Sequence, residues 1–272
     1  MTNERSAERH REAQRLEFDE AFREGSRAHV TSNDPCVRYI VDWRIHEAMR
    51  VLGAAWERTS PGTDIRSASM LVLCSGEGSE GTVLVDLGFE DVTVSDISES
   101  GCRAAVVRDP RLRAVVLDAE RADVPDGSFD IVLVQDGLHH LSSPVGGFVE
   151  SLRIARHAVV FLEPHDSLAG RRFGQQWEQN GDATNWVFRW NRDVVQQVAS
   201  SYLGPVGFTD LSFSFWHHNV LMGRWSERLG RLGLPALRLV KRVLSPFDRF
   251  GNQFCGMILL PRSVTAGTVN LD

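Results

Sequence analysis

Long hydrophobic runs are absent from this chain. No apolar stretch approaches the roughly 18–20 residues that a membrane-spanning helix requires, and the opening MTNERSAERHREAQR is polar and charged, unlike a secretory signal. Cysteine is sparse: Cys36, Cys74, Cys102 and Cys255 lie far apart, with no CxxC and no Cys/His ligand spacing. That pattern does not describe a disulfide framework or a structural zinc site, and it fits a reducing, cytoplasmic setting; no metal is expected, with a site on Asp136, Asp166 and the strand-end histidines as the minor alternative. An excess of basic charge is also missing. With a formal net charge of −6, nucleic acid is not the expected partner, because phosphate binding needs a basic surface. Internal repeats and low-complexity segments are lacking as well. What remains is the ordinary composition of a globular domain, 272 residues with 42 % hydrophobic and 24 % charged side chains. A chain of this size can bury roughly 70–75 % of its unfolded surface, enough for a two-sided sheet covered by helices.

The apolar period divides the chain. Residues 4–25 place Phe18, Ala21 and Phe22 on one helical face, and residues 35–57 form a second amphipathic helix with Pro35 in its first turn. The two make an N-terminal helical cap over residues 1–66. From residue 67 to 262 the period changes. Short apolar runs at Met70–Leu73, Val92–Val94, Val115–Leu117, Ile131–Val134 and Ala158–Leu162 alternate with helical stretches at about 79–88 and 144–156. Continuous apolar runs of this length indicate parallel strands buried on both faces, hence an α/β sheet. A helix at about 191–203 and strands at 206–216 and Phe254–Leu260 complete it. Two insertions interrupt the pattern, at about 164–190 and 217–251, and residues 263–272 read as a flexible tail.

The first apolar run enters a glycine-rich turn, Cys74-Ser75-Gly76-Glu77-Gly78-Ser79-Glu80-Gly81. Glycine lets the backbone turn sharply and lets a ligand approach without a Cβ in the way. Gly76, Gly78 and Gly81 spell GxGxxG, and Asp96 follows Gly76 by 20 residues. This is also the dinucleotide fingerprint, so the loop alone leaves a nicotinamide cofactor open.

Downstream, Asp118-Ala119-Glu120, then Pro125 with Ser128-Phe129-Asp130, then Ile131 to Gln135 and Leu138-His139-His140-Leu141 follow in order. Together with the glycine loop, the stretch from 70 to 165 resembles the class I S-adenosylmethionine-dependent methyltransferases, in the branch that includes many small-molecule and ubiquinone-pathway enzymes. The resemblance implies a Rossmann-like seven-stranded sheet of order 3-2-1-4-5-7-6 with the last strand antiparallel. It implies S-adenosyl-L-methionine as cofactor, leaving as S-adenosyl-L-homocysteine. Gly76 and Gly78 would pass under its methionine and ribose portions. Asp96 would hold the ribose hydroxyls, Ile97 would pack on the adenine, and Asp118 with the Ala119 amide would read the adenine edge. Gln135 would face the methionine part. The family usually has an acidic residue where this chain has Cys74, and a glycine where it has Glu80, so Glu77 or Gln135 is expected to take over the ammonium.

An oxygen acceptor benefits from a base, and histidine is the natural one near neutral pH. His139 and His140 follow the fourth strand, His165 follows the fifth, and His217 and His218 follow the sixth. Such strand ends border the ligand crevice of an open α/β sheet. Phe173, Trp177, Trp186, Phe188 and Trp190 are available as walls for an organic acceptor, with Phe18, Phe22, Tyr39 and Trp43 in the cap. Residues 221–250 interleave leucines and valines with arginines. This pattern suits an anionic membrane surface or a lipid-linked acceptor, and equally a lid or a homodimer surface. The expected activity is methylation of a small organic acceptor, a sugar or other secondary metabolite, at oxygen in preference to nitrogen or carbon. A non-methylating enzyme such as a cyclase, or a binding module, uses the same fold; a nicotinamide oxidoreductase is the remaining alternative.

Overall fold

The computed structural model describes residues 2–24, 34–59, 62–180, 183–204, 207–217 and 220–261. Helices α1 (Thr2–Glu24) and α2 (Pro35–Thr59) precede the sheet. Asp34 starts α2 by accepting the Cys36 amide at 2.7 Å on its carboxylate, with Pro35 in the first turn, where no donor is missed.

The apolar runs become β1 (Ser69–Leu73), β2 (Asp91–Asp96), β3 (Arg113–Val116), β4 (Phe129–Gln135) and β5 (Ala155–Pro164). Between them lie α3 (Ser79–Asp86), α4 (Glu99–Arg108) and α5 (Pro144–Ile154). Then come α6 (Leu168–Phe173), a hairpin of β6 (Trp177–Asn180) and β7 (Ala183–Trp186), α7 (Arg192–Leu203) and β8 (Asp210–Trp216). Helices α8 (Val220–Glu227) and α9 (Gly233–Leu244) lead into β9 (Gln253–Leu259). The main sheet runs β3-β2-β1-β4-β5-β9-β8; the first five strands are parallel, and β9 is antiparallel to both neighbours. Setting the hairpin aside, this is the expected order 3-2-1-4-5-7-6.

Alternation along β1 explains the two-sided core. Met70 and Val72 pack with Ile45, Leu52 and Leu84 on one side, while Leu71 and Leu73 pack with Phe148, Trp190 and Val195 on the other. Each such side chain, removed from water, contributes about 1.5–3 kcal/mol.

Three stretches differ from the sequence reading. The third strand stops at Val116, two residues before Asp118. Helix α4 is not marked by an apolar stripe; Ser98 caps it by accepting the Gly101 amide. The 164–190 segment is more regular than expected, since WEQN and ATNW pair as strands without the apolar alternation that betrays one. His218 and the tail 263–272 lie outside the described residues.

Candidate functional site

The carboxyl ends of β1 and β4 are adjacent in the sheet, and both turn through left-handed backbone: Cys74 has φ 54° and Asp136 has φ 48°. Non-glycine residues in that region cost about 1–3 kcal/mol each, and here the two cluster at one edge. Gly137 permits the pinch, because a Cβ there would stand 2.5 Å from that of Cys74. Above this edge lies a cavity of about 380 Å³, a volume suited to a small ligand.

One end of the cavity is built by the glycine loop and β2. The Gly76 amide donates to Asp96 at 2.8 Å, and the Ser98 amide donates to its other oxygen at 2.9 Å. These two amides fix the loop against β2. Ile97, Asp118 and Ala119 continue the same wall. Asp118 accepts the Glu120 amide at 2.9 Å and pairs with Arg11 of α1 at 3.3 Å. The wall therefore carries two carboxylates at neighbouring strand ends with an aliphatic side chain between them.

Helix α1 lies across the cavity. Phe22 fills the space beside Gly76, where a Cβ would come within 2.7 Å of its ring. Asp19 accepts the Ser100 amide at 2.8 Å, and Gln14 donates to the His140 carbonyl. Helix α2 contributes Arg44, 1 % exposed, which donates to both oxygens of Asp136 at 2.5 and 2.8 Å. Burial works against both charges, yet their mutual attraction outweighs it, holding Asp136 below the usual carboxylate range and Arg44 above its ordinary value. Nearby Glu80 is buried and its carboxyl is pushed up by that burial; Gln135 donates to it at 3.1 Å. Cys74 is likewise raised well above the ordinary thiol value, by burial and then by Asp96, so it stands as a neutral thiol.

Opposite, the end of β5 supplies Glu163, fully buried. It accepts the Gly137 and Leu138 amides at 2.9 and 2.7 Å and the His139 Nδ1–H at 2.7 Å. Burial disfavours the imidazolium, but Glu163, Asp136 and Glu178 together push His139 up to about 9. His140 presents Nδ1 to Glu178 of β6 at 3.0 Å. His139, His140 and Glu178 have ligand atoms within 4.8 Å of one another, the single group of this kind among the described residues. Sequence spacing could not show it, because Glu178 comes from the hairpin.

Most of the sequence-derived residues meet at this cavity: Cys74, Gly76, Glu77, Asp96, Ile97, Asp118, Ala119, Gln135, His139 and His140 all line it. Glu77 also pairs with Arg108 at 2.8 Å, which ties it to α4. Three do not reach the wall. Gly78 faces the core, where an added Cβ would meet Ala105 at 2.8 Å; its role is close helix packing. His165 is held by the Gly251 carbonyl at 2.8 Å and packed on Phe215 and Phe254, and burial lowers its pKa. It is not among the residues that line the cavity. His217 bonds the Phe247 carbonyl, also off the wall. Of the expected aromatic acceptor wall, the Phe173 side chain lies outside the described residues, and the other four do not line the cavity. Trp190 is core, Phe188 packs on it, and Trp177 and Trp186 pair on the surface. The cap aromatics divide: Phe18 and Phe22 line the cavity, whereas Tyr39 and Trp43 lie beneath Arg238 and Lys241. Arg11, Arg44, Glu163 and Glu178 were not legible as site residues, since the groups they meet come from distant segments.

A family model described as a methyltransferase domain matches residues 71–162. A curated demethylmenaquinone methyltransferase from Beutenbergia cavernae is 38 % identical over 87 residues, covering 32 % of this chain and 36 % of that protein. The match thus spans about a third of the relative's length. Among solved structures, the [4+2]-cyclase SpnF superposes with TM-score 0.52 at 14 % identity, over 78 % of this chain and 80 % of the cyclase. Haemonchus contortus phosphoethanolamine N-methyltransferase 2, in complex with phosphomonomethylethanolamine and S-adenosylhomocysteine, gives 0.50 at 16 %, over 79 % and 52 %. At such identities these two speak for the fold. The family match covers residues 71–162, about a third of the chain, and within that segment the chain carries a methyltransferase-domain sequence on a sheet of order β3-β2-β1-β4-β5-β9-β8.

Proposed function

We propose that the chain transfers a methyl group from S-adenosylmethionine to a small organic acceptor, at oxygen in preference to nitrogen or carbon. The observation that carries this reading is one cavity wall with Asp96 and Asp118 at neighbouring strand ends, beside a glycine loop locked to Asp96 through the Gly76 amide. Two ribose hydroxyls suit the first carboxylate and an exocyclic amine the second, with Ile97 against the ring between them. Bound there, the cofactor supplies an electrophilic methyl on a sulfonium. The chain's own residues do the rest. Glu80 and Gln135, hydrogen-bonded to each other in the cavity lining, hold the amino-acid end.

His140 is the base in this reading. It lines the cavity, and Glu178 at 3.0 Å orients its ring and stabilises the imidazolium that proton uptake creates. His139 is already charged near neutrality, so it orients rather than accepts. The acceptor enters on the side formed by Gln175, Arg189 and Asn252. Positioning against the methyl accounts for much of the rate.

Asp96→Ala is expected to weaken cofactor binding at least tenfold, about 1.4 kcal/mol, measured by calorimetry; unchanged affinity removes the ribose assignment. His140→Ala should cut transfer of labelled methyl by about 10²–10⁴-fold with cofactor affinity kept, and full retained turnover removes it as base. A cyclase with this fold makes a second outcome concrete: cofactor bound, substrate converted, no label transferred.

A further inference from the structure

Exposed apolar side chains are not scattered evenly over this molecule. Among the described residues, eight of the seventeen large hydrophobic side chains exposed to solvent fall between Trp225 and Phe250. Single exposed leucines need no explanation, but a contiguous set marks an interaction surface.

Helix α9 organises the set. Leu237, 2 % exposed, faces inward with Cys36 and Ile40 of α2. Leu232, Leu239 and Val243 are 71, 62 and 61 % exposed. Leu239 and Val243, at i and i+4, share one stripe of α9, and Leu232 stands in the turn that leads into it. Arg231, Arg238 and Arg242 precede each of them by one position, so a basic row runs beside the apolar stripe. From 228 to 249 there are six basic side chains and a single acidic one, Asp248, in a chain of net charge −6. Lys241 turns inward over the Trp43 ring at 3.1 Å. The arginines of this segment form no ion pair among the described residues.

We propose that this face, α9 with the flanking Trp225 and Phe247, docks on an anionic lipid surface. Charge decides between occupants. A second copy of the chain placed face to face would oppose one arginine row to another, while nucleic acid offers nothing to the exposed leucines. Lipid answers both features: the apolar stripe enters the acyl boundary by about 5–10 Å, and the guanidinium groups meet headgroup phosphates. Among the described residues no helix is long and apolar enough to cross a membrane, so the contact is peripheral. The segment runs on through Phe250 and Gly251 to Asn252 and Gln253, which line the cavity. A docked molecule therefore brings the acceptor side of the site to the lipid boundary; this last step rests on the methyl-transfer reading and implies a lipophilic acceptor.

Sedimentation with vesicles tests the surface without using activity. The full chain is mixed with phosphatidylcholine vesicles, with and without 30 mol % phosphatidylglycerol, and compared with Leu232→Ser/Leu239→Ser/Val243→Ser and with Arg231→Gln/Arg242→Gln. Binding is expected with the anionic vesicles only. Each variant should weaken it about tenfold or more, at roughly fivefold per arginine, while melting temperature and S-adenosylhomocysteine affinity stay unchanged. Absence of binding to anionic vesicles overturns the proposal, as does equal binding by both variants. A dimer in solution that these substitutions dissociate, without vesicle binding, overturns it in favour of a second copy. Loss of cofactor binding in the unsubstituted chain would instead count against the methyl-transfer reading and leave the surface standing.

Discussion

Arginine does two different jobs in two regions of this molecule. In the body it is an internal tie. Arg44 is buried against Asp136, Arg153 bridges Glu150, Asp126 and the Ala122 and Val124 carbonyls, and Arg50 and Arg103 pair with glutamates on their own helices. Around α9 the same residue type stands beside exposed leucines with no carboxylate partner among the described residues, and Arg228, Arg238 and Arg249 lie over aromatic rings instead. Guanidinium groups paired inside the chain shape it; those left unpaired next to apolar surface point to a partner outside it. Removal should therefore cost stability in the first region and only binding in the second.

The largest effect is expected at Asp136→Ala. It strands the buried Arg44 without its nearest counter-charge, which should cost about 3–5 kcal/mol, a fall of roughly 10 °C in calorimetric melting temperature. A fall under 2 °C would erase the distinction between the regions. Next is the buried His139–Glu163 pair. His139 is raised from 6.5 to about 9 in the folded chain. Its contribution is therefore complete below pH 6.5 and is lost as pH climbs through about 9. Melting temperature should drop by several degrees across that window, and Glu163→Gln should flatten the drop; an unchanged slope in the variant would show that another group is titrating. Arg153→Ala comes third, at about 1–3 kcal/mol for its lost charged hydrogen bonds, read from urea midpoints. Arg242→Gln is the smallest, within about 0.5 kcal/mol, and a larger loss would mean that this arginine has an internal partner after all.

The sheet and one wall of the cavity were legible because both follow from local signals. Parallel strands buried on two faces write themselves as unbroken apolar runs, so β1, β2, β4 and β5 were found, and strand ends carry Asp96 and Asp118 within a few residues of those runs. The rest depends on contacts between distant segments. Arg44 meets Asp136 across 92 residues and Arg11 meets Glu120 across 109, and nothing in either neighbourhood announces the other. The hairpin that delivers Glu178 lacks apolar alternation, so its strands were invisible to a period of two. His165 stood at a strand end like His140, but whether such a side chain faces cavity or core is set by packing against Phe215 and Phe254. Sequence position alone does not contain that choice.

Calorimetric titration of the unsubstituted chain with S-adenosylmethionine, S-adenosylhomocysteine and NAD, side by side, addresses the central assignment most directly. Saturable one-to-one binding of the two sulfur compounds and no heat from NAD is the predicted result. Binding of NAD alone, or of none of the three, would contradict it.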